Sequence, residues 1–356
     1  MRSTVHRKGN FDPFYGMICS VTPQTGEIVT HAKSVSLTRR SALGAGVGML
    51  CSPVLAQPSC ELGLPGHVKG SAVWRDYDQA ELDAAYNQTF YQAHLDRVND
   101  RLGAQSFDLR FRRGYPDRLT YGEHPDEKLD LYRTAVTPAP IFIFIHGGIW
   151  IHLDAATSGF AAEMFMDHGA HFAALDFAPV TELGGDLAAQ AAQVRRGIAW
   201  IARNAASLGA DPERIYIGGH SSGGHLCAVA LTTDWVAEFG LPRDVIKGGL
   251  CMSGMYDLEP VRLSWRSSYL AFTDEMEAAM SPQRHIDRIA ASLTITYGSY
   301  ETPEFQRQAK DFTAAVQATG KPVALIGGTL HHQETWESLG NPYGLNGRAA
   351  LDMMQI

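Results

Sequence analysis

The sequence predicts one doubly wound α/β domain with a mostly parallel sheet and a small cap. Short β-type runs alternate with helical patterns from residue 128 to residue 326. The run IFIFI at residues 141–145 contains no polar residue, which is typical of a strand buried in the centre of a parallel sheet. A glycine-rich turn at residues 218–224 joins a β-type run to a helical run. In 356 residues no internal repeat or linker divides this pattern.

The composition excludes several classes of protein. With 45% hydrophobic and 19% charged residues, the chain resembles an ordinary soluble globular protein. The net charge of −8 provides no basic surface for nucleic acid. No stretch approaches the roughly 20 apolar residues of a membrane span. Five cysteines without C-x-x-C pairs or Cys/His ligand spacing predict neither a metal site nor a disulfide framework.

The first 56 residues have the features of an export signal. The adjacent Arg39 and Arg40 precede an uncharged apolar run that ends in small residues at Ala56. This order is typical of a Tat signal, so we expect cleavage near Ala56, the Tat machinery as a partner, and a periplasmic or secreted location. The alternative is a loose helix start with two neighbouring arginines. The long stretch before Arg39 suggests a translation start downstream of Met1.

After this extension, residues 57–356 are expected to form the single domain. Apolar residues at three-to-four spacing predict a helix within 72–102, and alternation predicts a strand at 105–113. A turn at 119–122 and a strand at 128–132 follow. The remaining predicted strands are 141–145, 171–177, 215–217, 246–252, 293–297 and 323–326, and the predicted helices are 158–169, 187–208, 226–231 and 304–319. The aromatic-rich stretch 262–280 interrupts the alternation and is expected to form a cap or lid.

The turn at residues 219–223, GHSSG, centres on Ser221. A strand, a sharp G-x-S-x-G turn and a helix, in that order, form the nucleophile elbow of serine hydrolases. Such a turn is strained, and Gly219 and Gly223 supply the room that it needs. The alternative is a glycine-rich turn without chemistry.

A second turn with chemical potential follows the predicted strand 141–145. It reads His146-Gly147-Gly148, and its glycines would let backbone N–H groups point into a cleft and stabilise an oxyanion. A plain strand-end turn with a structural histidine is the alternative. The presence of an HGG turn upstream of an elbow favours the catalytic interpretation.

A serine nucleophile needs a histidine base and an acid that orients it, and in this type of sheet they follow the serine in the order acid, histidine. Glu301 lies just beyond the strand 293–297 and is the favoured acid. Asp257, after the preceding strand, is the competing acid, whereas Glu304 is interpreted as a first-turn carboxylate of the next helix. His331 and His332 follow the last strand, and spacing alone does not choose between them.

From about Trp74 to its end, the chain resembles the kynurenine formamidase (arylformamidase) branch of the α/β-hydrolases. The resemblance implies that Ser221 is the nucleophile, that Glu301 replaces the usual aspartate and that His332 is the base, since the preceding position is often Asn or Asp in relatives. It also implies oxyanion donors at the N–H groups of Gly147, Gly148 and Ser222. The motifs that carry it are LTYG at 119–122, KLDLY at 128–132, HGGIW at 146–150, GHSSGGHL at 219–226, SGMYDLEPV at 253–261, ETPEFQRQ at 301–308 and LHHQETWESLGNPYGLNGRAAL at 330–351.

Three departures from the family concern the substrate. Ile149 replaces a tyrosine, Ser222 stands where alanine is usual, and an export signal does not suit cytoplasmic tryptophan catabolism. We therefore expect a serine carboxylesterase that hydrolyses a small aryl or alkyl ester, or an amide, through an acyl-enzyme. The alternative is an arylformamidase acting on N-formyl aryl amides such as N-formylkynurenine. A non-catalytic binding protein is a second alternative, which an intact set of Ser, acid and His disfavours.

The expected substrate pocket is apolar. The large side chains that follow the HGG turn or occupy the predicted cap would line it, although core packing explains some of them equally well. They are Ile149, Trp150, Trp265, Tyr269 and Phe272. The chemistry needs no metal or organic cofactor, and the sequence does not indicate an oligomeric state.

Overall fold

The computed structural model describes Leu64 and residues 66–356. The predicted export signal, with Arg39, Arg40 and the expected cleavage point at Ala56, lies outside the described residues.

Eight strands form one sheet in the order β1-β2-β4-β3-β5-β6-β7-β8. The two strands β1 and β2 pair antiparallel with their neighbours, and all other pairs are parallel. The strands are β1 Asp117–Thr120, β2 Lys128–Tyr132, β3 Ala139–Ile145, β4 His171–Leu175, β5 Ala210–His220, β6 Gly248–Met252, β7 Ser292–Gly298 and β8 Val323–Gly328. The carboxyl ends of the parallel strands therefore meet at one edge of the sheet, where ligands bind in open α/β folds.

Helices cover both faces of this sheet. They are α1 Gln79–Ala85, α2 Leu95–Arg113, α3 Ala162–Asp167, α4 Leu187–Leu208, α5 Ser222–Leu231, α6 Trp235–Phe239, α7 Glu259–Leu263, α8 Asp274–Ala279, α9 Pro303–Ala318, α10 His332–Glu337 and α11 Leu345–Met354. No helix within the described residues is both long enough and apolar enough to cross a membrane.

The central strand β3 shows why its sequence contains no polar residue. Ile141 and Ile143 pack into a core with α4 and α5, whereas Phe142 and Phe144 pack into a second core with α2, α3 and α11. Both sides of the strand are fully buried, so each position needs an apolar side chain. This sheet, covered by helices on both faces and bearing a small cap, confirms the predicted fold class.

Three predictions at the amino-terminal side of the domain are wrong. Residues 105–113 are not a strand but the second half of α2, because its buried positions Val98, Leu102 and Leu109 follow helical spacing. Phe107 and Phe111, which suggested alternation, are 65% and 83% exposed.

The predicted single helix within 72–102 is interrupted between α1 and α2. Asn87 ends that helical pattern by capping a short 3-10 turn with its side chain. The predicted turn at 119–122 begins inside β1, where Leu119 pairs with Leu129.

The predicted cap at 262–280 comprises α7, a 3-10 turn at Trp265–Ser268 and α8. It packs against the chain that follows β4: Ala271 N–H donates to Gly185 O at 3.0 Å. A side chain at Gly185 would approach the carbonyl oxygen of Tyr269 within 2.9 Å, so the cap lies directly on this loop.

Candidate active site

Ser221 occupies a strained turn between β5 and α5. Its φ of 58° and ψ of −122° lie in a region that non-glycine residues rarely adopt. Its N–H donates to Met252 O at 2.9 Å, which joins the turn to the end of β6. The residue is only 6% exposed. The strained backbone and its position at the carboxyl end of the sheet match a nucleophile elbow.

The two glycines beside Ser221 are required by close backbone contacts. A Cβ at Gly219 would lie 2.1 Å from Gly223 O, and one at Gly223 would lie 2.1 Å from Ile145 O. Neither backbone oxygen can move away without disrupting β3 or α5. Any larger residue at these positions would therefore distort the turn.

The HGG turn lies against the same elbow. A Cβ at Gly147 would be 2.7 Å from His220 O and 3.1 Å from the Ser221 Cβ. Gly148 has a φ of +93°, and its N–H, like that of Gly147, makes no backbone hydrogen bond within the described part of the chain. Ser222 begins α5, so its N–H has no acceptor inside the helix. Three N–H groups are thus available beside Ser221.

The Ser222 side chain holds these donors together. Trp150 N–H donates to Ser222 Oγ at 3.0 Å, which connects the HGG turn to the first residue of α5. An alanine at position 222, usual in the family, could not make this bond. Ser222 therefore contributes a side-chain contact in addition to its backbone N–H.

Glu301 and His332 form a buried pair. His332 Nδ1 contacts Glu301 Oε1 in a short hydrogen bond. The second oxygen, Glu301 Oε2, accepts Gly298 N–H at 2.8 Å, so both carboxylate oxygens are engaged. Glu301 is 0% exposed, and the Phe305 ring meets the imidazole edge to face at 5.0 Å. The contact with Glu301 fixes the orientation of the His332 ring. Glu301 contacts Nδ1 and does not contact Nε2.

The alternative acid, Asp257, and the alternative base, His331, have other contacts. Asp257 Oδ1 accepts the N–H of Glu259 at 3.3 Å, and the residue lines a separate surface cavity with Trp74 and Arg307. His331 stacks at 5.0 Å on Tyr300. Neither Asp257 nor His331 belongs to the Glu301–His332 pair.

Glu304 lies in the first turn of α9, as expected from the sequence, but it does more than complement the helix dipole. It is buried and ion-paired to Arg307 through both oxygens at 2.8 and 2.7 Å. Its Oε2 also accepts the Tyr86 hydroxyl at 3.1 Å. This carboxylate is therefore occupied by structural partners.

Sequence reasoning missed His220, the variable residue of the G-x-S-x-G turn. Its Nε2 lies 3.0 Å from His332 O, and its ring lies 4.6 Å from the His332 ring and stacks on Trp336. Burial, reinforced by the neighbouring His332, holds the pKa of His220 well below its usual range. The ring is therefore neutral, and Nε2–H donates to the His332 carbonyl. Its place beside the serine in the motif was the available sequence signal.

A second buried histidine, His225, contacts Trp150, which follows the HGG turn. Trp150 Nε1 donates to His225 Nδ1 at 3.2 Å, and His225 Nε2 donates to Met280 O at 2.8 Å. Burial lowers the pKa of His225 to about 4, so the neutral ring accepts and donates one bond each. His225 thereby connects the HGG turn, α5 and the end of the cap.

The residues expected to line the pocket are distributed over two layers. Trp150 is 1% exposed and lies beneath the cap, with the Arg266 guanidinium 5.5 Å above its ring. Ile149 is half-buried, with a φ of 54°. In the cap, the rings of Trp265 and Tyr269 lie 5.6 Å apart. These two residues and Phe272 are partly exposed.

Two groups of side chains in the described residues have the spacing of metal ligands. One consists of His67, Asp78 and Glu81, and the other of His124, Asp126 and Glu182. Asp78 and Glu81 form the capping box of α1, which accounts for their proximity. Neither group includes a residue of the elbow, the HGG turn or the Glu301–His332 pair.

Comparison with known proteins shows which families and folds this chain is similar to. A family model described as BD-FAE matches residues 129–245, which include β3, the HGG turn and the elbow. A solved structure from Silicibacter sp. tm1040, a thioesterase candidate, superposes with a TM-score of 0.67 at 24% identity, covering 78% of this chain and 99% of that chain. The fold and the elbow together define an α/β-hydrolase.

Within that fold the chain is arylformamidase-like. Kynurenine formamidase from Danio rerio is 28% identical over 264 residues, covering 70% of this chain and 87% of the relative. Isoprenylcysteine alpha-carbonyl methylesterase ICME from Arabidopsis thaliana is 27% identical over 231 residues, covering 58% of this chain and 54% of the relative. The predicted resemblance to the kynurenine formamidase branch is confirmed.

Proposed function

We propose that this protein is a serine carboxylesterase that hydrolyses a small ester, or an amide, through an acyl-enzyme. Hydrolysis of an ester or amide is supported by relatives that are themselves formamidases and esterases, which also disfavours a non-catalytic binding protein. The observation that carries the serine mechanism is the buried Glu301–His332 pair at the sheet edge that bears the strained Ser221.

Ser221, His332 and the three backbone N–H groups have distinct roles in the proposed mechanism. His332 Nε2 takes the proton of Ser221 Oγ as the oxygen attacks the substrate carbonyl carbon. The N–H groups of Gly147, Gly148 and Ser222 stabilise the oxyanion that forms. His332 then gives the proton to the leaving alcohol or amine, and the C–O or C–N bond breaks. A water molecule, deprotonated by His332, then attacks the acyl carbon; the bond from that carbon to Ser221 Oγ breaks, His332 returns the proton to Ser221 Oγ, and the acid is released.

Glu301 stabilises the imidazolium that forms in each half-reaction. Its Oε1 contacts His332 Nδ1, which selects the tautomer whose Nε2 can accept a proton. The bond from Gly298 N–H to Oε2 prevents the carboxylate from rotating away. The same residues serve acylation and deacylation.

An activity panel tests this proposal. We expect Ser221→Ala to lower kcat/KM on p-nitrophenyl acetate by about 10⁴-fold or more, because triad members act as a unit. The exposed Ser207 provides a control, since Ser207→Ala should leave activity unchanged. Wild-type activity in a folded Ser221→Ala protein would disprove the proposed nucleophile.

Arylformamidase activity is the second candidate, favoured by the similarity to kynurenine formamidases over 70% of the chain. Ile149 places an apolar side chain where the family has a tyrosine hydroxyl, and a site without that partner discriminates weakly for a polar formamide. We therefore expect kcat/KM on short aryl esters to exceed that on N-formylkynurenine by about tenfold or more. Ile149→Tyr should shift the ratio toward the formamide. A wild-type preference for N-formylkynurenine would establish the second candidate instead.

We also propose export by the Tat pathway, on the basis of Arg39 and Arg40 in the sequence. Replacing both arginines by lysine should retain the full-length protein in the cytoplasm, as seen by fractionation and mass spectrometry of the N-terminus. Processed periplasmic protein from that variant would contradict the proposal.

A further inference from the structure

Arg266, in the 3-10 turn of the cap, is a buried charge without a counter-charge. It is 2% exposed, and no carboxylate oxygen of the described residues lies within 4.0 Å of it. The neighbouring cap residue Arg262, by contrast, pairs with Asp274 and Glu277. Because burying an unpaired charge is costly, the position of Arg266 requires an explanation.

The contacts of Arg266 use only part of its hydrogen-bonding capacity. One terminal nitrogen donates to the Tyr269 hydroxyl and the other to Tyr86 O, each at 2.9 Å. Arg266 Nε is buried and has no hydrogen-bond partner among the residues that the structure describes. A guanidinium carries five N–H donors, so three remain unused. The faces of Trp150 and Trp265, at 5.5 and 5.2 Å, attract the cation but do not neutralise it.

On one side, Trp150 connects Arg266 to the elbow that carries Ser221. The guanidinium lies over the Trp150 ring, and Trp150 N–H bonds to the side chain of Ser222, the residue after Ser221. One intervening residue therefore separates the guanidinium from the elbow. The expected oxyanion donors Gly147 and Gly148 lie three and two residues before Trp150 in the chain.

On the other side, Tyr86 and Phe305 connect Arg266 to the expected base, His332. The Tyr86 ring packs at 6.1 Å on Phe305, which packs at 5.0 Å on His332. Two further buried amides in this region have unpartnered atoms: both polar atoms of Gln88, and Gln333 Oε1 beside His332. Arg266 is thus linked by contacts to both catalytic regions while part of its donor capacity stays unused.

We propose that Arg266 selects substrates that carry a carboxylate, which pairs with its free N–H donors while Ser221 attacks the ester or amide carbonyl. This inference rests on the proposed function, because it concerns the same pocket. The planar guanidinium suits a carboxylate, which it can bind through two parallel hydrogen bonds. The expected substrate pocket would accordingly place one positive charge among its aromatic side chains.

Matched substrate pairs test this selectivity. One pair is 3-acetoxybenzoate and 3-acetoxybenzamide, with the charge on the leaving group. The other is monophenyl glutarate and phenyl butyrate, with the charge on the acyl group. We expect the wild type to prefer the anion in at least one pair, and Arg266→Gln to lower that anion-to-neutral ratio of kcat/KM by about 30-fold or more.

Arg262→Gln is the matched control, because Arg262 belongs to the same cap but is partly exposed and paired. It should leave the ratio unchanged. A wild-type ratio that favours the neutral member in both pairs would overturn the inference. So would an equal ratio in wild type and Arg266→Gln, since a purely structural arginine would lower both rates together.

A second variant and a binding measurement extend this test. If Arg266→Gln does not fold, Arg266→Met serves instead. It replaces the buried charge by an apolar side chain of similar volume, which is often neutral for stability. Calorimetric binding of 3-phenylpropionate and 3-phenylpropionamide to Ser221→Ala measures charge selection without turnover. Tighter binding of the carboxylate that disappears in Ser221→Ala/Arg266→Met supports the inference even if Ser221 is not the nucleophile. Equal binding of the two probes refutes it while leaving the serine mechanism intact.

Discussion

The buried carboxylate of Glu301 at the carboxyl edge of the sheet and the buried guanidinium of Arg266 in the cap differ in how completely they are hydrogen-bonded. At the edge, both oxygens of Glu301 are bonded, and the carbonyl of His332 accepts a bond from His220. In the cap, Arg266 Nε and Trp265 Nε1 are buried and have no hydrogen-bond partner in the described part of the chain. Fully bonded groups hold a fixed geometry, whereas unused donors are free to bind another molecule. The complete bonding of Glu301 suits the proposed catalysis, and the unused donors of Arg266 suit the proposed recognition of a carboxylate.

Substituting each candidate acid by its amide should give the largest difference in kcat. Glu301→Gln should lower kcat by about 10³- to 10⁴-fold, because the amide cannot stabilise the imidazolium and favours the wrong tautomer. Asp257→Asn, at the end of the preceding strand, should leave kcat near wild type, since Asp257 lies outside the pair. Steady-state kinetics on a p-nitrophenyl ester, with circular dichroism as the folding check, provides the comparison. The reverse ranking would move the acid to Asp257.

Acid stability tests the histidine that joins the edge to the cap. The pKa of His225 falls to about 4 in the folded protein, so below the unfolded value near 6.5 the unfolded chain binds more protons. Its stabilising contribution is complete above about pH 6.5 and is lost as the pH falls toward 4, at about 1.4 kcal/mol per pH unit.

His225→Asn should flatten that dependence in urea unfolding measured between pH 7.5 and pH 4.5. The exposed His94 gives a control, since His94→Asn should retain the wild-type slope. Identical slopes for wild type and His225→Asn would show that His225 does not titrate in this way.

A smaller effect is expected from Ser222→Ala. The change removes the acceptor of Trp150 N–H and loosens the turn that carries Gly147 and Gly148. We expect kcat to fall by about three- to tenfold with little change in KM, in line with the loss of about 1 kcal/mol of hydrogen bonding. A large rise in KM with unchanged kcat would instead assign Ser222 to ground-state binding of the substrate.

The edge could be predicted from the sequence far better than the cap. The elbow, the HGG turn and the acid each follow a strand directly, so local patterns place them at one edge of a parallel sheet. The helix at 105–113 was missed because Phe107 and Phe111 imitate alternation while their side chains remain exposed. The role of Arg266 depends on Tyr86, which lies 180 residues away in the chain. Periodicity carries no information about such contacts.

Covalent labelling tests the central assignment most directly. An alkyl fluorophosphonate should react with one residue, Ser221, because only a serine activated by His332 attacks phosphorus rapidly. Peptide mass spectrometry should find the phosphonyl group on the peptide that contains Ser221 in the wild type, in proportion to lost esterase activity. The label should be nearly absent in His332→Ala and in Ser221→Ala. Complete inactivation with the label on another residue, or an active enzyme that never takes the label, would contradict a mechanism built on Ser221, Glu301 and His332.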